Sequence, residues 1–242
     1  MDRLFLDRLT ADEATSLLSR MPVRPRPDAG PGTGSGTAAP PAGGPAGGAR
    51  DPAEGPAQGA GLEVLARQAS GCTRCRLSEG RTQVVFGRGS ATAELVVVGE
   101  APGREEDRTG LPFVGPAGKL LDLLLLSVGF DRESVYICNV LKCRPPNNRD
   151  PLADEVKTCA PYLHGQLDAI RPTVLLAVGK FAAQMLSGSD AAIGRLRGRV
   201  HEYRGVPVVA TYHPAYLLRS PHATRKTWQD LQLMRQVMDE HA

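Results

Sequence analysis

The chain reads as an α/β protein of three layers, α/β/α, on a central, mainly parallel four-stranded sheet. Three observations predict it. Four short runs rich in β-branched and apolar residues recur along residues 93–212, stretches with helical patterning lie between them, and three of the four loops that follow the runs are rich in Gly, Pro and functional side chains. Strands joined through helices imply right-handed crossovers and a sheet covered on both faces.

Taken in order, residues 1–20 carry the first helical signals: Thr10 and Glu13 fit a capping box, and Leu6, Leu9, Leu17 and Leu18 can share a face. A lone helix of that length is marginal in water, so this segment is either a frayed tail or a peptide that docks on a protein partner. Residues 21–61 are dominated by Pro, Gly and Ala, a composition that buries too little apolar surface to offset the entropy of ordering and reads as a disordered linker. The folded domain spans residues 62–242. Its strands are "AELVVVGE" (93–100), "SVYICNV" (134–140), "TVLLAVG" (173–179) and "VPVVATY" (206–212). Helices are predicted at 115–129, 151–170 and 179–186, with a last one near 226–240. Ligands of open α/β sheets bind at the carboxyl ends of the strands, so the loops to inspect are "GEAPGREEDRTGLPFVG", "NVLKCRPPNNRDP", "VGK" and "HPAYLLR".

The 242 residues are 41% hydrophobic, enough for a packed core. Lys and Arg total 29 against 26 Asp and Glu, a formal charge of +3 that permits an acidic partner without demanding one. No apolar run approaches the roughly 18 residues that span a bilayer. The N-terminus lacks a small-residue cleavage site, and the expected location is the cytoplasm, with no membrane partner and a monomeric state. Five cysteines is an odd number, and their grouping in a reducing compartment favours metal ligation over disulfides. Cys72 and Cys75 form a C-x2-C, and Cys143 and Cys159 form a second pair that straddles a helix start. Four thiolates from two distant segments suit tetrahedral zinc or an iron–sulfur cluster equally, and spacing does not separate the two. Cys138 lies inside a strand, as a small buried apolar residue would.

The loops carry chemistry of their own. Backbone amides in "EAPG" (Glu100–Gly103) can point at a ligand or hold a water. Asn139 ends the second strand with a donor and an acceptor suited to a base edge. His213 opens the last loop, where an imidazole can donate to a developing negative charge.

Together, "CTRCRL", "GEAPGREEDRTGLPFVGPAG", "YICNVLKCRPPNNRDP" and "YHPAYLLR" closely resemble the family 4 uracil-DNA glycosylases, the iron–sulfur branch of that superfamily, from about Leu62 to the C-terminus. The resemblance implies a DNA repair enzyme that hydrolyses the N-glycosidic bond of deoxyuridine in single- or double-stranded DNA and leaves an abasic site. By the same likeness Cys72, Cys75, Cys143 and Cys159 match the ligands of a [4Fe–4S] cluster that staples the two cysteine segments. Phe113 matches the aromatic that stacks on the flipped uracil, Asn139 the reader of its edge, and His213 the histidine that stabilises its departure; removing one such donor is worth about 3–4 kcal/mol. The backbone around Glu100 and Ala101 matches the pocket lining, with Glu100 a holder of water and Glu106 a guard against the thymine methyl. Ala101 stands where other branches carry an aspartate, so the resemblance implies a mechanism that relies little on a general base. A glycosylase must fill the space vacated by its base and hold phosphates. Leu217 or Leu218 would be the wedge and Arg219, Arg225 and Lys226 the phosphate contacts, with Arg195, Arg197, Arg199 and Arg204 as a second track. The alternative is a non-catalytic iron–sulfur DNA-binding module like the domain fused to some phage polymerases, which would keep the cysteines and lose the pocket.

Overall fold

Leu95–Gly99 (β2), Tyr136–Asn139 (β3), Val174–Val178 (β4) and Val206–Thr211 (β6) are dense in Val, Ile and Leu, and nearly every residue in them is buried. Burial on both faces suits parallel strands, whose neighbours leave no face for water. The structure, a computed structural model, describes residues 60–241. The expected N-terminal helical tail and all but the last two residues of the expected linker lie outside the described residues, and the first helix already begins at Ala60.

β2 pairs in parallel with β3 on one side and β4 on the other, and β4 pairs in parallel with β6. Arg88–Gly89 (β1) and Val200–Tyr203 (β5) bring the sheet to six strands where four were expected, in the order β1-β3-β2-β4-β6-β5. The additions are antiparallel: β1 against β3, and β5 against β6. β5 and β6 form a hairpin whose two-residue turn, Arg204-Gly205, has both φ angles positive (49° and 82°). Such turns match the twist of the flanking strands.

Side-chain alternation splits the interior in two. Leu95, Val97, Ile137, Leu176 and Val209 face a core filled by Pro116–Leu126 (α4), Pro214–Arg219 (α8) and Thr224–His241 (α9). Val96, Val98, Cys138, Leu175 and Val208 face the other, filled by Ala60–Ser70 (α1), Ala153–Ile170 (α5), Lys180–Ser187 (α6) and Ile193–Leu196 (α7). Two further short helices are Leu77–Gly80 (α2) and Arg104–Thr109 (α3), the second within a segment expected to be a loop. The strand order doubles back between β2 and β4, the switch point at which open α/β sheets keep a crevice at the carboxyl ends of their strands, and Glu100, Asn139, Lys180 and His213 all stand at or just beyond those ends. No helix among the described residues is long and apolar enough to cross a membrane.

Candidate active site and cysteine cluster

The crevice is organised around a residue with no side chain. A Cβ built on Gly99 would stand 2.3 Å from Asn139 Oδ1 and 2.6 Å from Phe113 Cζ, so these two tips converge over the end of β2 and any larger residue there would collide with both. Asn139 is 1% exposed, and its Oδ1 is a buried acceptor with no hydrogen-bond partner among the described residues. Such an atom costs about 1–3 kcal/mol unless something donates to it. Phe113 presents its ring to that of His213, with centroids 5.6 Å apart and planes inclined by 27°.

Phe113 reaches this position at a cost in backbone strain. Its φ is +52°, a left-handed conformation that bulky residues avoid, and the surroundings over-determine it. Glu106 Oε1 accepts from Val114 N and Gly115 N, both at 2.9 Å, and its Oε2 accepts from Gly103 N at 3.1 Å. From the other side Arg132 donates to the carbonyls of Pro112 and Phe113, and it is anchored by Asp122 Oδ1 at 2.7 Å. Glu106 is thus committed to three backbone amides and clamps the loop. Arg132 escaped the sequence reading altogether, because nothing local in "FDRES" marks a side chain that reaches back about 20 residues to the loop before α4.

His213 is the N-cap of α8, and its Nδ1 accepts from Ala215 N at 3.1 Å. Burial lowers its pKa to about 4, Arg219 acts in the same direction and Glu106 opposes them. At neutral pH the ring is therefore uncharged, and with Nδ1 occupied as an acceptor its proton sits on Nε2, which is left as a donor. Gly179, at φ +98°, lets β4 pass close beneath: a Cβ there would lie 3.1 Å from that of His213. Glu100, half-buried, has its carboxyl pushed up to about 7, chiefly by burial and further by Asp150, with Lys180 opposing. Ala101 packs beside it against the small cluster of Leu77, Leu141 and Cys143.

Of the two leucines on α8 expected at the wedge, the structure buries one. Leu217 is 2% exposed and packs in the sheet core, which removes it as a DNA contact; a helix turns adjacent residues to different faces. Leu218 is 50% exposed and Arg219 is exposed beside it. The second phosphate track breaks up as well. Arg197 is bound to the buried Asp230 through two contacts of 2.8 and 2.9 Å, and it lies over the Tyr212 ring. Arg204 sits in the β5–β6 turn, at the opposite end of β6 from the crevice. Arg195, Arg199, Arg225 and Lys226 are exposed.

Cys72, Cys75, Cys143 and Cys159 line one small cavity together with Arg81 and Tyr162. Cys138 faces the sheet core instead, which excludes it from that set. Two donors already address the sulfurs: Arg81 Nη1 lies 3.4 Å from Cys143 Sγ and the Lys142 amide 3.3 Å from Cys159 Sγ. Burial pushes the Cys143 thiol up to about 11 against the pull of Arg81. Burial also acts to raise Cys72, but hydrogen bonds with Tyr162 and Arg74 outweigh it and leave that thiol below its ordinary value. Among the described residues, no three Cys, His, Asp or Glu side chains are arranged to hold a single metal ion.

The family model of the uracil DNA glycosylase superfamily matches residues 86–232, which holds the crevice and all of the strands. The chain belongs to the uracil-DNA glycosylase superfamily. Within it the chain is similar to the type-4 uracil-DNA glycosylase of Archaeoglobus fulgidus, 49% identical over 66% of this chain and 84% of that protein. It is also similar to that of Thermotoga maritima, 45% identical over 66% and 84%. A DNA polymerase of Bacillus phage SP01 is 30% identical over 67% of this chain, a segment that makes up 18% of the polymerase. As a type-4 glycosylase the protein brings an aromatic ring from the loop before α4, an unpaired amide oxygen from the end of β3 and a neutral histidine from the start of α8 to one spot.

Proposed function

We propose that this protein excises uracil from DNA by hydrolysing the N-glycosidic bond, and that the crevice at Gly99 receives the flipped base. The observation that carries the reading is the buried, unpartnered Oδ1 of Asn139 beside Phe113 and a neutral His213. The N3–H of uracil is the donor that oxygen lacks, and a site built to hydrogen-bond a group rejects analogues that lack it. Phe113 supplies a face for the pyrimidine. As the bond from C1′ to N1 breaks, the electron pair stays on uracil, and the Nε2–H of His213 donates to the oxygen that gathers the negative charge. Because the ring is neutral, it donates without surrendering a full proton. Water held by the ionised Glu100 then adds to the oxocarbenium-like sugar carbon and gives its proton to that carboxylate, which returns it by way of solvent while the departing uracil anion is protonated. Free uracil and an abasic site leave.

Cys72, Cys75, Cys143 and Cys159 would hold the [4Fe–4S] cluster. The fit rests on four thiols around one cavity and two N–H donors aimed at sulfur, the environment that thiolate-bound clusters favour. When bound, such a cluster supplies a cross-link between the segment before β1 and the segment after β3. Leu218 would fill the gap left in the duplex while Arg219 holds backbone phosphate. A non-catalytic DNA-binding role, which the match to a phage polymerase raises, predicts no base release.

The test is release of uracil from an oligonucleotide carrying one uracil, against a thymine control, for the wild type and for His213→Ala and His213→Asn. The expected result is cleavage at uracil alone. The alanine variant should lose about 100- to 1000-fold, the value of one donor to a developing anion. Asparagine, itself a good N-cap, should restore the stability lost with alanine but not the full rate. A folded, brown, DNA-binding protein that releases no base would overturn the reading.

A further inference from the structure

Lys142 lies beneath the pocket and takes part in none of the chemistry above. It is 2% exposed, yet its ammonium donates to two neutral acceptors, the backbone carbonyl of Asn139 at 2.6 Å and Gln166 Oε1 at 2.5 Å. Gln166 is itself fully buried, and its Nε2 is spent on the carbonyl of Phe86 at 2.8 Å and the hydroxyl of Tyr136 at 3.0 Å, which turns its oxygen toward Lys142. The backbone of Lys142 is occupied too: its carbonyl accepts from Val85 N at 2.8 Å, and its amide points at Cys159 Sγ. A buried ammonium is expensive, and an apolar residue of the same length would stabilise the interior at lower cost. What the lysine provides instead is a fixed position for the peptide that carries the unpaired Asn139 amide, tied through one residue to the cysteine-lined cavity.

We infer that Lys142 is a positioning residue for uracil recognition: through its hydrogen bond to the Asn139 carbonyl it sets where the Asn139 amide meets the base, and Gln166 holds it in place. The inference rests on the proposed uracil pocket. A recognition group displaced by a fraction of an ångström loses much of its hydrogen bond, so the effect belongs to base binding and not to DNA binding.

The experiment uses the full chain and three probes on each variant: inhibition of excision by free uracil, affinity for duplex DNA containing a tetrahydrofuran abasic analogue, and visible absorbance of the cluster with a thermal melt. The variants are Lys142→Met and Lys142→Met/Gln166→Leu. The double variant removes the Gln166 oxygen that the single variant orphans, at the expense of the donor to the Phe86 carbonyl and the Tyr136 hydroxyl, and so tests the lost Asn139 contact in a second background. The expected result, in whichever variant retains the absorbance and a cooperative melt, is free-uracil inhibition weaker on the order of 10-fold with abasic-DNA affinity within about twofold of the wild type. Free-uracil inhibition within about twofold of the wild type in a folded variant would overturn the inference and reduce Lys142 to a packing role. Equal losses of uracil and abasic-DNA binding would overturn it as well, since they report a general disturbance. A wild type that releases no uracil would instead remove the proposed function, and this inference with it.

Discussion

Acidification gives the most direct view of the site, because its two titrating groups are displaced in opposite directions. Glu100 has a value of about 7 and His213 about 4, so between pH 5 and 8 the carboxyl changes charge while the imidazole stays neutral. If the ionised Glu100 holds and deprotonates water, the rate should follow the ionised fraction: about one half at pH 7, about one eleventh at pH 6, and a tenfold decline per further unit. The signs also separate this loss from unfolding. A carboxyl whose folded value lies above the ordinary 4.5 binds its proton more tightly in the fold, so the stability it contributes is complete below 4.5 and is lost as pH rises through 7. His213 acts the other way: its folded value lies below the ordinary 6.5, and the stability it contributes above 6.5 is lost as pH falls through 4. The assay is single-turnover excision from pH 5 to 9, with a thermal melt at each pH, for the wild type and Glu100→Gln. A single acid limb near pH 7 that the substitution abolishes, leaving a low, flat rate, is the expected outcome. A limb that survives in Glu100→Gln, or a wild-type profile flat down to pH 5.5, would refute the assignment.

Three further outcomes follow from the geometry. Gly99→Ala places a methyl against Asn139 Oδ1 and Phe113 Cζ, and it should lower kcat/KM on the order of 100-fold and cost about 1–3 kcal/mol of stability through overpacking, while abasic-DNA binding stays near that of the wild type; ordinary activity would mean that the base does not sit over Gly99. Glu106→Ala orphans three loop amides and should cost about 2 kcal/mol in urea unfolding along with much of the activity, whereas Glu106→Gln, which keeps an acceptor for Val114 and Gly115, should lose less of both. Leu217→Ala should destabilise by about 2–5 kcal/mol, while Leu218→Ala should leave stability within about 0.5 kcal/mol yet slow excision from duplex DNA more than from single strands. Equal excision losses on the two substrates for Leu218→Ala would remove it as the wedge.

The parallel strands, the flanking helices and the polar groups of the loops were legible in the chain because each has a local signature. A fully buried strand is a continuous apolar run, a helix repeats its apolar positions, and loops that must present chemistry collect Gly, Pro and polar groups. That is why 93–100, 134–140, 173–179 and 206–212 could be placed, and why Asn139 and His213 could be singled out, whereas Phe113 was placed by the family resemblance alone. Chain pairing across distance has no such signature. β1 contributes two residues and β5 is half exposed, so neither forms an apolar run, and both exist because β3 and β6 offer them an edge.

The same reason separates Leu217 from Leu218: two adjacent leucines are one motif in the sequence, and only the docking of α8 on the core buries the first and exposes the second. Arg197 looked like a phosphate contact until Asp230, 33 residues away, claimed it. Glu106, Arg132 and Lys142 have their meaning in partners 8 to 24 residues off in the chain. Amino-acid identity thus settled which chemistry the chain can perform, since donors, acceptors and thiols are properties of single residues. Where each one points, whether His213 is neutral and whether an arginine is free depend on desolvation and on neighbours brought by the fold, and only the tertiary structure decides those.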